Sequence, residues 1–256
     1  MDFNLLGFVG LGIFTGVVGA LLGLGGGVVI VPFLVFAAHY EPQLAIGTSM
    51  FVVLLNSVSG ACGYIRKKLA CTSAAISFSL ATIPGAFLGS YVATYLQGRI
   101  FFGVFGLFFL GVAFNMFRKA NQAGEENGVT TVPENYNKKL GIICSVFVGF
   151  LASVLGIGGG VIHVPFMIYV LRFPVKVAIA TSTCILAVSA VAGATSHAYL
   201  GHVMWVAGLA LGIGAAIGAQ IGVRLAAVMK SAMLMKGAGV LVALTGIKFL
   251  LSAFGV

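Results

Sequence analysis

Acidic residues are almost missing from this chain: Asp and Glu number 5 in 256 residues, against 14 Lys and Arg. Charged residues of all kinds make up only 7% of the sequence, too few to cover a water-soluble domain of this length. The five acids, Asp2, Glu41, Glu125, Glu126 and Glu134, fall at the ends of apolar runs or in polar stretches. No carboxylate is therefore placed to balance a cation or relay a proton at depth, which argues against a cationic substrate. Histidine is also sparse, and His39, His163, His197 and His202 are dispersed with no acid beside them at depth. That pattern argues against a convergent enzyme site. Cys62, Cys71, Cys144 and Cys184 lack metal-ligand spacing and read as small packing residues. No phosphate loop ending in Gly-Lys-Ser/Thr is visible, so no ATP site is expected. The expectation is a protein that is not an enzyme and needs no cofactor or metal.

What the chain has in abundance is apolar sequence. Hydrophobic residues make up 60%, and the mean hydropathy is +1.14. Eight apolar runs can be read, at 5–38, 44–64, 71–95, 100–117, 140–171, 177–199, 203–223 and 237–254. Most approach the roughly 20 residues that cross a bilayer as a helix. Backbone groups in hydrocarbon must be satisfied within the segment, so the expected fold class is an all-α integral membrane protein. The start, Met1-Asp2-Phe3-Asn4, has no basic region and no small-residue cleavage site after it, so the first run is expected to stay as a membrane segment. The net charge of +9 has no soluble basic domain to carry nucleic-acid binding and reads instead as a topology signal.

The sequence repeats itself at an offset of 133. Leu22-Gly23-Leu24-Gly25-Gly26-Gly27 through Pro32-Phe33 falls on Leu155-Gly156-Ile157-Gly158-Gly159-Gly160 through Pro165-Phe166. In the same register Ala45 to Ser49 falls on Ala178 to Ser182, and Gly60-Ala61 on Gly193-Ala194. After a four-residue slip Gly85 to Gly89 meets Gly214 to Gly218. The expected organisation is a first membrane repeat at 1–118, a cytoplasmic linker at 119–139 and a second membrane repeat at 140–256.

Charge orients the repeats. Eight plain crossings would divide the basic residues almost evenly between the two faces, against the positive-inside rule. An odd number of crossings per repeat inverts the second copy. One face then carries Arg66, Lys67, Lys68, Arg118, Lys119, Lys138, Lys139, Arg172, Lys176, Arg224, Lys230 and Lys236, and the other carries only Arg99. The expectation is two inverted-topology repeats of about four segments each, with both termini outside. The runs 5–38 and 140–171 are too long for one span and are interrupted by triglycine, so the first segment of each repeat is expected to be broken or re-entrant there. An extra crossing in each half would give the same parity, and charge does not separate the two.

Glycine and proline mark where the break should fall. A short helix is expected to start after each triglycine, its unpaired N–H groups and positive dipole end facing inward, an arrangement that binds anions without a charged side chain. Glycines elsewhere read as close-packing residues. The candidate substrate-binding residues are Gly25, Gly26, Gly27, Gly158, Gly159, Gly160, Thr48, Ser49, Thr181, Ser182, His163, Asn56 and Gln220. Hydroxyls in helices commonly bond their own backbone, but the Thr-Ser pair recurs at one position of both copies. His163 stands where the first copy has Ile30, and that asymmetry suits a group that reads charge or protonation. Tyr64 and His197, also equivalent, are expected at an interface, and Lys248 and Arg224 at the membrane surfaces.

At the paired Gly-x-Gly-Gly-Gly stretches followed by proline, Gly23 to Pro32 and Gly156 to Pro165, the sequence resembles the sulfite exporter TauE/SafE family, also called TSUP. The likeness extends to length and to two halves of apolar segments, and covers essentially the whole chain. It implies transport of sulfite, sulfoacetate, thiosulfate or related sulfur-containing or organic anions, and carries over no catalytic residue. The expected function is secondary transport, in the exporting sense, of such an anion by alternating access in the cell inner membrane. The expected partners are the small anion and the lipid bilayer, with no nucleic acid; homodimer formation stays open. An anion channel or an accessory subunit of a larger complex is the alternative.

Overall fold

The computed structural model describes residues 5–95, 98–120, 133 and 136–254. Most of the 119–139 linker, with Glu125, Glu126 and Glu134, lies outside the described residues, as does Asp2. The chain forms α1 (Leu5–Leu22), α2 (Gly27–Pro32), a π-helical turn (Phe33–Ala37), α3 (Pro42–Arg66), α4 (Thr72–Ala93) and α5 (Gly98–Ala120). It continues with α6 (Lys138–Leu155), α7 (Gly160–Tyr169), α8 (Val175–Tyr199), α9 (Trp205–Val228) and α10 (Ser231–Ala253). No strand occurs among the described residues. Seven of these helices are long and apolar enough to cross a membrane. Side chains such as Leu6, Phe14, Leu88, Leu107, Phe147, Ile213 and Leu244 are exposed, leaving an apolar outer surface suited to lipid.

Each of the two longest apolar runs is two helices. Helix α1 stops at Leu22 and α2 starts at Gly27; α6 stops at Leu155 and α7 starts at Gly160. The repeat extends to hydrogen bonding beyond the helices. Pro32 and Pro165 have no N–H to give to the preceding turn; the helix widens into the π-helical turn after Pro32, while α7 stays α-helical through Tyr169. Ala38 N–H then bonds the Phe33 carbonyl and Leu171 N–H the Phe166 carbonyl, five residues back in both cases.

Small residues determine how the helices meet. A Cβ added at Gly12 would strike the Leu211 backbone and one at Gly16 the Ala215 backbone, while Gly214 and Gly218 press on Val9 and Ile13. Residue numbers climb together, so α1 and α9 run parallel, backbone against backbone, as small residues allow in lipid. The same relation joins α6 to α4, where Gly149 faces Thr82 and Gly89 faces Phe150. The first helix of each repeat therefore packs on the third long helix of the other. Between them α3 and α8 cross antiparallel, with Gly60 facing Thr183 and Gly193 facing Met50. Helices α5 and α10 also pair antiparallel, Gly106 against Leu250 and Gly246 against Leu110. Phe36, Phe102, Phe105, Phe109 and Phe249 fill the space between that pair and the π-helical turn.

Candidate functional site

The two glycine breaks lie against each other. A Cβ at Gly27 would come within 2.5 Å of Ile157 Cα and 2.7 Å of the Gly156 carbonyl oxygen. One at Gly160 would meet the Gly23 carbonyl and sit 2.8 Å from Leu24 Cα. No residue larger than glycine fits at either helix start without moving the backbone of the opposite repeat. Gly25 and Gly158 both face Val53 of α3 and Leu186 of α8: an added Cβ would lie 3.0 and 3.3 Å from these side chains at Gly25, and 3.0 and 2.9 Å at Gly158. Val53 and Leu186 are themselves related by the offset of 133 and are fully buried. Positive φ at Gly25 (78°) and Gly158 (70°) lets the chain turn back on itself after α1 and α6.

The serines of the recurring Thr-Ser pair hold this crossing together. Ser49 on α3 donates to the Gly156 carbonyl at 2.6 Å, and Ser182 on α8 donates to the Gly23 carbonyl at 3.0 Å. Each bond ties one repeat to the break of the other and occupies a carbonyl that would otherwise repel an anion. The starts of α2 and α7 have no side-chain cap at Gly26 or Gly159. Their first N–H groups have no intrahelical partner, so the crossing is left rich in donors.

Two polar side chains flank the breaks, one in each repeat. Asn56 is 1% exposed; its amide nitrogen lies 3.5 Å from where a Cβ of Gly26 would stand, and its Oδ1 has no hydrogen-bond partner. His163, in the first turn of α7, is fully buried with Nδ1 3.0 Å from the corresponding point at Gly159. Its Nε2 lies 3.1 Å from Ser145 Oγ on α6, and its Nδ1 has no partner. Gly26 and Gly159 are equivalent under the offset, so the two side chains stand beside matching glycines.

Other candidates sit elsewhere. Thr48 Oγ1 accepts from Met204 N–H at 2.9 Å, and Thr181 Oγ1 accepts from Cys71 N–H at 3.0 Å. Met204 and Cys71 are the N-cap residues of α9 and α4, so the threonines fasten the start of a helix in the opposite repeat. Gln220 donates to the Ser59 carbonyl at 2.6 Å and to its hydroxyl at 2.9 Å, joining α9 to α3. Tyr64 and His197, expected at an interface, are buried within the protein, both at most 1% exposed. Tyr64 Oη donates to the Ala20 carbonyl at 2.8 Å and His197 Nε2 lies 3.1 Å from the Ser153 carbonyl, two bonds that again correspond under the offset. Val53, Leu186 and Ser145 escaped notice in the sequence. The offset maps Val53 onto Leu186, but ordinary apolar residues carry no mark, and Ser145 becomes informative only when α7 folds back on α6.

The sulfite exporter TauE/SafE family model matches residues 8–249. The chain belongs to the TauE/SafE family. Among relatives of this TauE/SafE protein, "Probable membrane transporter protein YunE" of Bacillus subtilis is 36% identical over 234 residues, covering 84% of this chain and 85% of that one. A protein of Methanocaldococcus jannaschii named as a probable membrane transporter is 28% identical over 193 residues, with 73% and 69% covered. One of Xylella fastidiosa bearing the same description is 29% identical over 214 residues, with 82% and 80% covered. No solved structure matches the chain. A multi-pass membrane protein of a transporter family is the conclusion these observations carry.

Proposed function

We propose that the protein is a secondary transporter that carries a small sulfur-containing or organic anion, such as sulfite or sulfoacetate, out of the cell by alternating access between two inverted repeats. The observation that carries the reading is the donor-rich crossing of the two glycine breaks, where Ser49 and Ser182 take up the Gly156 and Gly23 carbonyls and the uncapped starts of α2 and α7 remain. Such an arrangement favours an anion without a buried cation. Asn56 fits the same role when its amide turns by half a rotation and presents its NH2 group. The Gly25 to Gly27 and Gly158 to Gly160 segments are the core of the proposed site, and His163 joins them.

The helix directions support an inverted repeat. In this reading α1–α2 and α6–α7 are re-entrant hairpins, α3, α4 and α5 cross three times, and α8, α9 and α10 cross three times in the opposite sense. Arg66, Lys67, Lys68, Arg172, Lys176, Arg224, Lys230 and Lys236 then share the cytoplasmic end with the 119–139 linker. Lys176 donating to the Ala227 carbonyl agrees, since it joins the start of α8 to the end of α9. Exposed Tyr91, Tyr95, Tyr199 and Trp205 gather at the other end, as aromatic side chains do at a membrane interface. The backbone contact of the breaks under Val53 and Leu186 suits an occluded carrier better than a channel.

The family's name as sulfite exporters supports the substrate class. A potential of 100 mV, negative inside, favours anion exit by about 2.3 kcal/mol per charge, so export needs no pump. The test is sulfite flux in proteoliposomes with a potassium–valinomycin potential imposed in each direction and sulfoacetate, thiosulfate and sulfate as competitors. Saturable flux that follows the potential is expected. Absence of flux for every one of these anions, in folded protein, would overturn the reading.

A further inference from the structure

We infer that His163 carries a proton together with the anion, so that the protein is a proton–anion cotransporter; this rests on the anion-transport reading above. The Ser145 hydroxyl donates to the Gly141 carbonyl at 2.7 Å, which uses its one hydrogen. The 3.1 Å contact to His163 Nε2 then requires that nitrogen to be the donor. The neutral ring therefore carries its hydrogen on Nε2, and Nδ1 is a bare lone pair.

That lone pair is fully buried, has no donor, and stands beside Gly159 at the uncapped start of α7. A buried acceptor left unmatched is costly, but an imidazolium buried alone costs more, so a proton settles on Nδ1 only when an anion arrives to offset its charge. Once Nδ1–H forms, the imidazolium presents a donor and a positive charge to the site where the anion binds. Proton and anion therefore favour each other's binding by the same factor.

Among the described side chains, no fixed charge competes for this role. The elements packed on α7 are α6, α8 and α5, and they bring Lys138, Lys139, Cys144, Lys176, Cys184, His197 and Arg118; Tyr169 lies further along α7 itself. The lysines stand at helix starts, Lys176 is engaged by the Ala227 carbonyl, and Arg118 sits over the Phe114 ring near the end of α5. His197 is engaged by the Ser153 carbonyl and His202. Among the described residues, the spans of α6, α7 and α8 contain no carboxylate. The first repeat has Ile30 at the matching position, so one proton accompanies each cycle.

The step balances simply: Nδ1 binds a proton from one aqueous side, the N–H bond forms, and on the other side that bond breaks and water takes the proton. A dianion then crosses with one net negative charge instead of two and still leaves down the membrane potential.

Thiosulfate is the suitable probe because it stays a dianion across neutral pH, so its own protonation does not imitate coupling. In proteoliposomes clamped at zero potential, a gradient of one pH unit should drive about tenfold accumulation of thiosulfate, since one coupled proton transmits one decade of its gradient. His163→Ile, which restores the residue of the first repeat, should lower thiosulfate flux, abolish accumulation driven by the pH gradient, and leave a residual flux that follows the imposed potential alone. His163→Gln, which keeps a donor toward Ser145, serves if the isoleucine variant does not fold, and the same loss is expected. Thiosulfate flux that ignores the pH gradient in the native protein, or coupling that survives in either folded variant, would overturn the inference while leaving anion transport standing. Absence of flux for thiosulfate, sulfite and sulfoacetate alike would instead remove the transport reading on which it rests.

Discussion

Ser49 donates its hydroxyl to the carbonyl oxygen of Gly156, 107 residues away and in the other repeat, at 2.6 Å. Ser182 makes the matching bond to Gly23. Each serine fixes a glycine break that lacks the regular backbone pairing of a helix. Ser49→Ala leaves a buried carbonyl unpaired, a loss of about 1–3 kcal/mol, and Ser182→Ala should cost a similar amount. Thermal melting of the purified protein checks this, with Ser77→Ala as control. Ser77 is half-buried and its hydroxyl makes an exposed bond to the Ser73 carbonyl of its own helix, so the melting temperature of that variant should not move.

Glycines of the chain divide into two kinds by what surrounds them. Gly160→Ala and Gly27→Ala drive a Cβ into the backbone of the opposite break, and each should destabilise by about 1–3 kcal/mol or more. Gly10→Ala and Gly111→Ala meet open space within 4 Å in helix interiors. These should be neutral or stabilising by up to about 1 kcal/mol, because alanine favours helix. Melting temperatures of the four variants provide the comparison, and equal losses in all four would contradict the crossing geometry.

Helix existence and the position of the breaks were legible in the sequence because lipid imposes one rule throughout: apolar runs must be helical, and glycine with proline is where a run stops. The offset of 133 also pointed to Ser49 and Ser182. It pointed equally to Thr48 and Thr181, adjacent in sequence, yet on a helix adjacent side chains diverge by about 100°. The serines thus reach the breaks while the threonines reach the starts of α9 and α4. Gln220 looked like a site residue only because it is polar in an apolar run; Ser59 satisfies it. Tyr64 and His197 looked interfacial because they lie near helix ends, but the carbonyls of Ala20 and Ser153 satisfy their polar atoms in the interior. Such outcomes depend on which helix faces which, and periodicity along one chain does not carry that information.

Topology is tested with cysteines introduced into protein whose Cys62, Cys71, Cys144 and Cys184 have been replaced. Arg66→Cys should react with a membrane-impermeant maleimide only from the cytoplasmic side, and Tyr199→Cys only from outside. Both positions are exposed at opposite ends of the bundle. Labelling of both from one side would contradict the inverted repeat.

His202, in the short connection between α8 and α9, stands with Nδ1 3.2 Å from His197 Nδ1. Burial holds its proton affinity below the ordinary value of 6.5. Unfolded chain therefore takes up a proton below about pH 6.5 that the folded protein resists. Stability should be full above that pH and fall as pH drops toward the folded value. His202→Asn should flatten this dependence, which melting temperatures between pH 5 and 8 would reveal; an unchanged slope would assign the acid sensitivity to other groups.

The central claim is that the crossing of the glycine breaks is the anion site and opens to each side in turn. Val53 is buried over both Gly25 and Gly158, so Val53→Cys in the cysteine-free protein places a thiol at that point. The decisive measurement is its rate of modification by an impermeant anionic methanethiosulfonate applied from either side of oriented vesicles, with and without thiosulfate. The account predicts reaction from both sides and slowing by thiosulfate from both. Reaction from one side only, or a rate indifferent to the anion, would contradict it.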